Sequence, residues 1–152
     1  MSQAVRQIDL PTSVGYLLKE ASSALRAAME QVLRPLGMTI THYSCLELLA
    51  QRPGLSNSDL ARGAFVTRQS MNVLLQSLER DGLVTRPQVA ATGRVLPAEL
   101  TRRGREQLTV ASGLVKGVEE RMTSGLTPAQ TQQMRDVLAQ CITSLKAAPT
   151  VS

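Results

Sequence analysis

The stretch LSNSDLARGAFVTRQSMNVLLQSLERDGLV, residues 55–84, decides the fold. It reads as two helices joined by a brief turn. Ser56 can cap the first, and Asp59 falls at its third helical position, near the positive helix end. Leu60 and Ala61 face inward, and Gly63 is expected to close the helix. Thr67 opens the second helix, expected over 67–81. Its inward stripe is Met71, Leu74, Leu75 and Leu78, at three- and four-residue spacing. Asp81-Gly82 then stops it.

Downstream the period changes. Leu83 to Arg86 reads as a short strand, and Val95 to Leu100 as its partner, with Pro97 confined to an edge or bulge. Thr92-Gly93 is a turn signal, which places the hairpin tip at about 88–94. Thr101 starts a long helix with Leu108, Ala111, Val115, Val118 and Met122 in register. Thr127-Pro128-Ala129-Gln130 starts another: a cap, proline at the first position, glutamine at the third. Met134, Val137, Leu138, Cys141 and Leu145 share one of its faces.

Upstream, Ser13 or Thr12 caps a helix whose apolar stripe runs from Val14 and Leu17 through Leu25 to Val32, ended by Pro35 and Gly37. A second helix follows Thr39 and Thr41 with Tyr43, Leu46, Leu49 and Ala50 on its apolar face, and Arg52-Pro53-Gly54 ends it. The order is helix, helix, short helix, helix, hairpin, long helix, helix. This is mainly α with a small β-hairpin wing: a winged helix-turn-helix flanked by long dimerisation helices. The expected division is a helical dimerisation region over 1–38 and 101–148 and a DNA-binding lobe over 39–100, within one compact protomer.

Charge agrees with that reading. Lys and Arg number 17 against 12 Asp and Glu, and residues 52–105 carry nine Arg against four acids. The net charge of +5 therefore sits wholly in residues 52–105, the middle third that holds the helix-turn-helix, the hairpin and the first residues of the long helix, the footprint of a polyanion-binding part. Basic residues that merely decorate a solvated surface would not leave the net charge in one third of the chain, with eight bases and eight acids balancing in the rest. The second helix of the pair suits the major groove. Its outward residues Arg68, Gln69, Asn72, Val73 and Gln76 are the candidates for base readout. Ser56, Thr67, Ser70, Arg86, Arg94, Arg102 and Arg103 are the candidates for phosphate and wing contacts.

Other classes lose ground. Tyr16, Tyr43 and Phe65 are the whole aromatic complement, too few for base-stacking on single strands or for an aromatic-rich β fold. No apolar run approaches the ~18 residues of a membrane span. No basic region followed by an apolar stretch marks the N-terminus, so no signal peptide is expected and a cytoplasmic setting is. One histidine and two distant cysteines give no metal spacing and no triad, so neither an enzyme, a metal nor a cofactor is expected.

With these pieces in place the chain resembles the MarR family of bacterial transcriptional regulators over roughly residues 12–146. Thr39-Ile40-Thr41-His42-Tyr43 stands where the family enters its second helix. Leu55 to Ala61 resembles the first motif helix, and Val66 to Met71 and Leu78 to Val84 resemble the recognition helix and the approach to the first strand. Leu100-Thr101-Arg102-Arg103-Gly104-Arg105 is similar to the exit from the wing. Three departures stand out: Thr92-Gly93-Arg94 lacks the usual wing Asp, Val73 stands where Arg is frequent, and His42 replaces Gln.

The resemblance implies a homodimer on a palindromic double-stranded operator, usually a repressor. In many relatives a small phenolic or lipophilic effector binds between the dimer helices and the DNA-binding lobe. Tyr16, His42 and Tyr43 are the corresponding candidates. Some relatives sense oxidants through a low-pKa thiol. Cys45, one turn after His42, is the position to weigh for that alternative. An alternative from another class is a winged-helix adaptor that binds protein and reads no DNA sequence.

Overall fold

The computed structural model describes residues 7–86 and 97–149. Six α-helices and one two-stranded sheet follow in the expected order: α1 (Val14–Leu33), α2 (Ile40–Gln51), α3 (Asn57–Gly63), α4 (Arg68–Arg80), β1 (Val84–Thr85), β2 (Glu99–Leu100), α5 (Arg102–Met122) and α6 (Pro128–Lys146).

Short polar side chains start the helices. Ser13, Thr39, Ser56, Thr67 and Thr127 each accept a backbone N–H from the third residue of the helix that follows. Each such cap is worth about 1 kcal/mol. At Thr127 the box is reciprocal, because Gln130 Oε1 accepts the Thr127 N–H at 2.9 Å.

Helix ends are equally specific. At the end of α4, Gly82 (φ 75°) donates to Glu79 and Leu83 donates back to Leu78 at 2.9 Å. Gly37 (φ 68°) accompanies a similar bond from Met38 to Leu33 after α1. The end of α3 differs from the sequence expectation. Gly63 remains helical, and the left-handed residue is Phe65, at φ 58°.

The core lies between α2, α3, α4, the sheet and the first half of α5. Leu46, Leu60, Met71, Leu75, Leu78 and Val84 are fully buried there. Burying each of these large side chains contributes about 1.5–3 kcal/mol. The α4 stripe therefore falls as expected, with Leu74 half-buried at its edge. On α2, Cys45 takes a core position and Ala50 lies exposed, a rotation of the expected face.

The wing base is narrower than the sequence suggests. Val84 pairs with Leu100 and Thr85 with Glu99, antiparallel. Leu83 and Arg86 stand outside the ladder. Thr101 fixes this base to α5. Its N–H donates to the Leu83 carbonyl (3.0 Å), its hydroxyl donates to the Gly82 carbonyl (2.6 Å), and the hydroxyl oxygen accepts the Gly104 N–H (3.0 Å). The expected hairpin tip, with Arg94, lies outside the described residues.

The chain divides into two units at Val118–Glu119. In the first, α5 buries Leu108, Ala111, Val115 and Val118 as its spacing predicts. Met122, expected in that stripe, is exposed, as are Val14, Leu17 and Leu18 on α1. In the second, α6 leaves Val137, Leu138, Ile142 and Leu145 exposed. Amphipathic spacing thus identified helix faces correctly, and the residues exposed on α1 and α6 belong to stripes that one small winged helix has no partner to cover.

Candidate nucleic-acid interface

The inward stripe of α4 anchors it by Met71, Leu75 and Leu78, which leaves the opposite face to solvent. Arg68 occupies its first position, immediately after the Thr67 cap, and Gln69 and Ser70 complete an exposed first turn. The Thr67 oxygen accepts the Ser70 N–H at 3.0 Å and the Thr67 hydroxyl donates to Ser70 Oγ at 2.9 Å. The other first-turn amides have no partner within the helix, which suits a phosphate oxygen. Gln76 and Val73 (61 % exposed) extend the same face.

Two of the candidates meet partners inside the lobe. Asn72 is half-buried, and its Oδ1 accepts from Asn57 Nδ2 at 2.8 Å. That bond ties α3 to α4 and engages the Asn72 amide oxygen in holding the motif together. Arg86, expected on phosphate, is 25 % exposed with Nε 4.0 Å from Glu79 Oε2. The contact between β1 and the end of α4 is a long one, and Arg86 Nε and Nη2 are buried without a hydrogen-bond partner among the described residues.

The remaining polar candidates are placed as follows. Ser56 caps α3 and donates to Asp59 Oδ2 at 2.8 Å. Asp59 also accepts from Arg62, and this bond leads the causes that hold its carboxyl below the usual carboxylate range. Arg102 is exposed on the first turn of α5 and paired with Glu106 at 3.2 Å. Arg103 is exposed beside it.

Arg103 also lines a cavity of about 390 Å³ with His42, Arg80, Asp81, Gln107 and apolar side chains including Met38 and Leu78. This cavity lies between α2, the end of α4 and the start of α5. Of the three expected effector contacts, only His42 lines it. Tyr16 is exposed on α1 and Tyr43 packs against the core. Sequence reasoning missed Arg80, Asp81 and Gln107, because nothing local to α2 signals which groups the ends of α4 and α5 bring beside it.

His42 also acts as the third residue of a capping box. Its Nδ1 accepts the Thr39 N–H at 3.2 Å, and its own N–H donates to Thr39 Oγ1 at 3.1 Å. That arrangement assigns the ring proton to Nε2. Burial lowers the His42 pKa below its ordinary 6.5, against an opposing pull from Asp81. The folded state thus binds this proton less readily than the unfolded chain. The stabilisation is complete above pH 6.5 and is lost as pH falls below it. Thermal midpoints should drop on acidification from that point, and His42→Gln, which can form the same box without titrating, should flatten the difference. Identical pH profiles for the two proteins would contradict this assignment.

Cys45 does not suit thiol sensing. It is fully buried, and burial pushes its thiol up to about 12, so the nucleophilic thiolate is suppressed. Cys141, expected within the apolar stripe of α6, is exposed instead.

A helix-turn-helix with a free, polar recognition face and an adjoining two-stranded wing base defines a winged-helix DNA-binding regulator. The MarR family model matches residues 36–95. The HTH-type transcriptional repressor Rv2887 of Mycobacterium tuberculosis is 42 % identical over 125 residues, spanning 82 % of this chain and 90 % of the relative. A crystal structure of that MarR family protein with salicylic acid shares 40 % identity at a TM-score of 0.71, covering 86 % of this chain and 96 % of the other. Its complex with DNA gives 36 % identity and a TM-score of 0.70, covering 86 % and 98 %. The chain belongs to the MarR family. It is a DNA-binding transcriptional regulator and not an enzyme.

Proposed function

We propose that the protein is a cytoplasmic, homodimeric repressor that holds a palindromic operator and releases it when a small aromatic carboxylate binds. The observation that carries this reading is the exposed first turn of α4, with Arg68 and Gln69 beside free helix amides, within the stretch 52–105 that holds the chain's entire net charge. The apolar side chains left exposed on α1 and on α6 supply surface for a second copy. Two-fold symmetry would then set two α4 helices about one DNA turn apart, about 34 Å. The dimerisation region is assigned to 1–38 and 101–148, and the reading lobe to 39–100.

The effector is assigned to the cavity beside His42. Arg80 and Arg103 suit a carboxylate, Gln107 and His42 Nε2–H suit further polar groups, and Met38, Leu78 and Leu83 suit a ring. The salicylic acid complex of the M. tuberculosis relative supports the same chemistry. The cavity touches the end of α4 and the start of α5. A ligand that fits it better at one separation of the two recognition helices than at another would shift the population between them.

The test is fluorescence anisotropy of the full chain with a duplex selected from a randomised pool, titrated with salicylate. DNA affinity should fall about 5–150-fold at saturation, the usual range of such coupling. Gln107→Met should blunt the response without changing affinity for DNA alone. An unchanged affinity at saturating salicylate would overturn the assignment of the effector.

A further inference from the structure

The turn before α4 holds a residue that folding alone does not explain. Ala64 caps α3, Phe65 donates its N–H to the Arg62 carbonyl (3.2 Å), and Val66 donates back to the Ala61 carbonyl (3.0 Å). That pair of bonds demands a left-handed residue between them, a position that glycine usually fills. At the end of α4 the same pair of bonds surrounds Gly82. Here the position is taken by Phe65, at φ 58° with 95 % of its surface exposed. It is the one phenylalanine of the chain. A bulky residue at positive φ is strained, and a wholly exposed ring recovers nothing from burial in the protomer.

Its setting indicates what it meets. Phe65 lies two residues before the Thr67 cap and three before Arg68, and Arg62, ion-paired with Asp59, stands exposed on the preceding helix. An apolar ring flanked by two cations at the tip of a recognition helix matches the edge of a duplex better than an apolar protein surface. Phosphates suit the cations, and the major groove offers one apolar group at each T, the C5-methyl. We infer that Phe65 packs against a thymine methyl in each half-site and is a specificity-determining residue for operator recognition. This inference rests on the DNA-binding reading above. It also adds a reader that the outward stripe of α4 does not include.

The test uses the full chain, its Phe65→Gly and Phe65→Ala variants, and a duplex selected from a randomised pool with the wild-type protein. Each thymine is replaced in turn by deoxyuridine, which removes only the methyl. Phe65→Gly should raise the thermal midpoint by about 2–4 °C, since glycine relieves the strained turn. Its affinity for the selected duplex should fall about tenfold across two half-sites. Wild type should lose affinity at one deoxyuridine position per half-site where both variants lose none, and 5-methylcytosine there should bind better than cytosine. Unchanged affinity in both variants would overturn the inference while leaving DNA recognition intact. A loss indifferent to every methyl would place the ring on the sugar–phosphate and overturn the thymine assignment. Normal DNA binding with lost repression in cells would turn Phe65 toward a protein partner and overturn it likewise. If wild type itself fails to bind any selected duplex over competitor, the DNA reading falls first.

Discussion

Arg68→Ala should weaken operator binding by about a hundredfold or more while leaving the protein at least as stable. A bidentate Arg–guanine contact is worth about 1–3 kcal/mol of discrimination, and a homodimer makes it twice. The fold has little stake in this side chain. Arg68 is exposed at the first position of α4, and a cation there opposes the positive helix end, so alanine should be neutral or favourable by a few tenths of a kcal/mol. Arg68→Lys should not restore recognition, because an ammonium lacks the planar fork. The readouts are thermal unfolding and anisotropy on matched and mismatched duplexes. Equal loss of stability and affinity would mean that Arg68 supports the helix instead of reading DNA.

Gly104→Ala should destabilise the protein by about 3 kcal/mol, from the addition of a single methyl group. A Cβ at Gly104 would lie 2.0 Å from the Leu83 carbonyl oxygen and 3.0 Å from its carbon, both backbone atoms of the residue leading into β1. That same oxygen accepts the Thr101 N–H at 3.0 Å. Relieving the clash therefore means pulling α5 from the wing base and breaking a bond that joins them. Overpacking costs about 1–3 kcal/mol where side chains can yield, and here the obstacle is backbone. Total stability of a domain is only about 5–15 kcal/mol. Nine residues along the same helix, Gly113 has nothing within 4 Å of its would-be Cβ. Gly113→Ala should stabilise by about 0.5–1 kcal/mol through helix propensity. Denaturant unfolding of the two variants should thus move in opposite directions. A Gly104→Ala protein as stable as wild type would show that α5 and the wing base are not in this close register.

The contrast between what was and was not legible in sequence follows from where each side chain finds its partner. The α4 stripe was legible because Met71, Leu75 and Leu78 are covered within the lobe, so period and burial coincide. Caps were legible because Ser56, Thr67 and Thr127 act on their own first turn. The neighbours of Asn72 and Arg86 were not legible, because Asn57 and Glu79 come from another element or the far end of a helix. The α3–α4 turn was placed at Gly63 on composition, yet that residue stays helical with its would-be Cβ 2.9 Å from Leu48 Cδ1. Its glycine serves close packing against α2, and the backbone reversal falls on Phe65. The stripes of α1 and α6 were legible as apolar faces by their period, and by their length as faces that one small winged helix cannot cover.

If α4 and the wing base read duplex DNA in a sequence-dependent way, binding must discriminate between duplexes. The most direct measurement is the anisotropy of the full chain on DNA from upstream of its own gene, with unrelated duplex as competitor, at two salt concentrations. Binding should be tight and competitor-resistant. Affinity should fall with salt along a slope of about 0.9 per phosphate contact on a double-logarithmic plot. Weak binding erased equally by any duplex, with no preferred site emerging from a genome-wide selection, would contradict it.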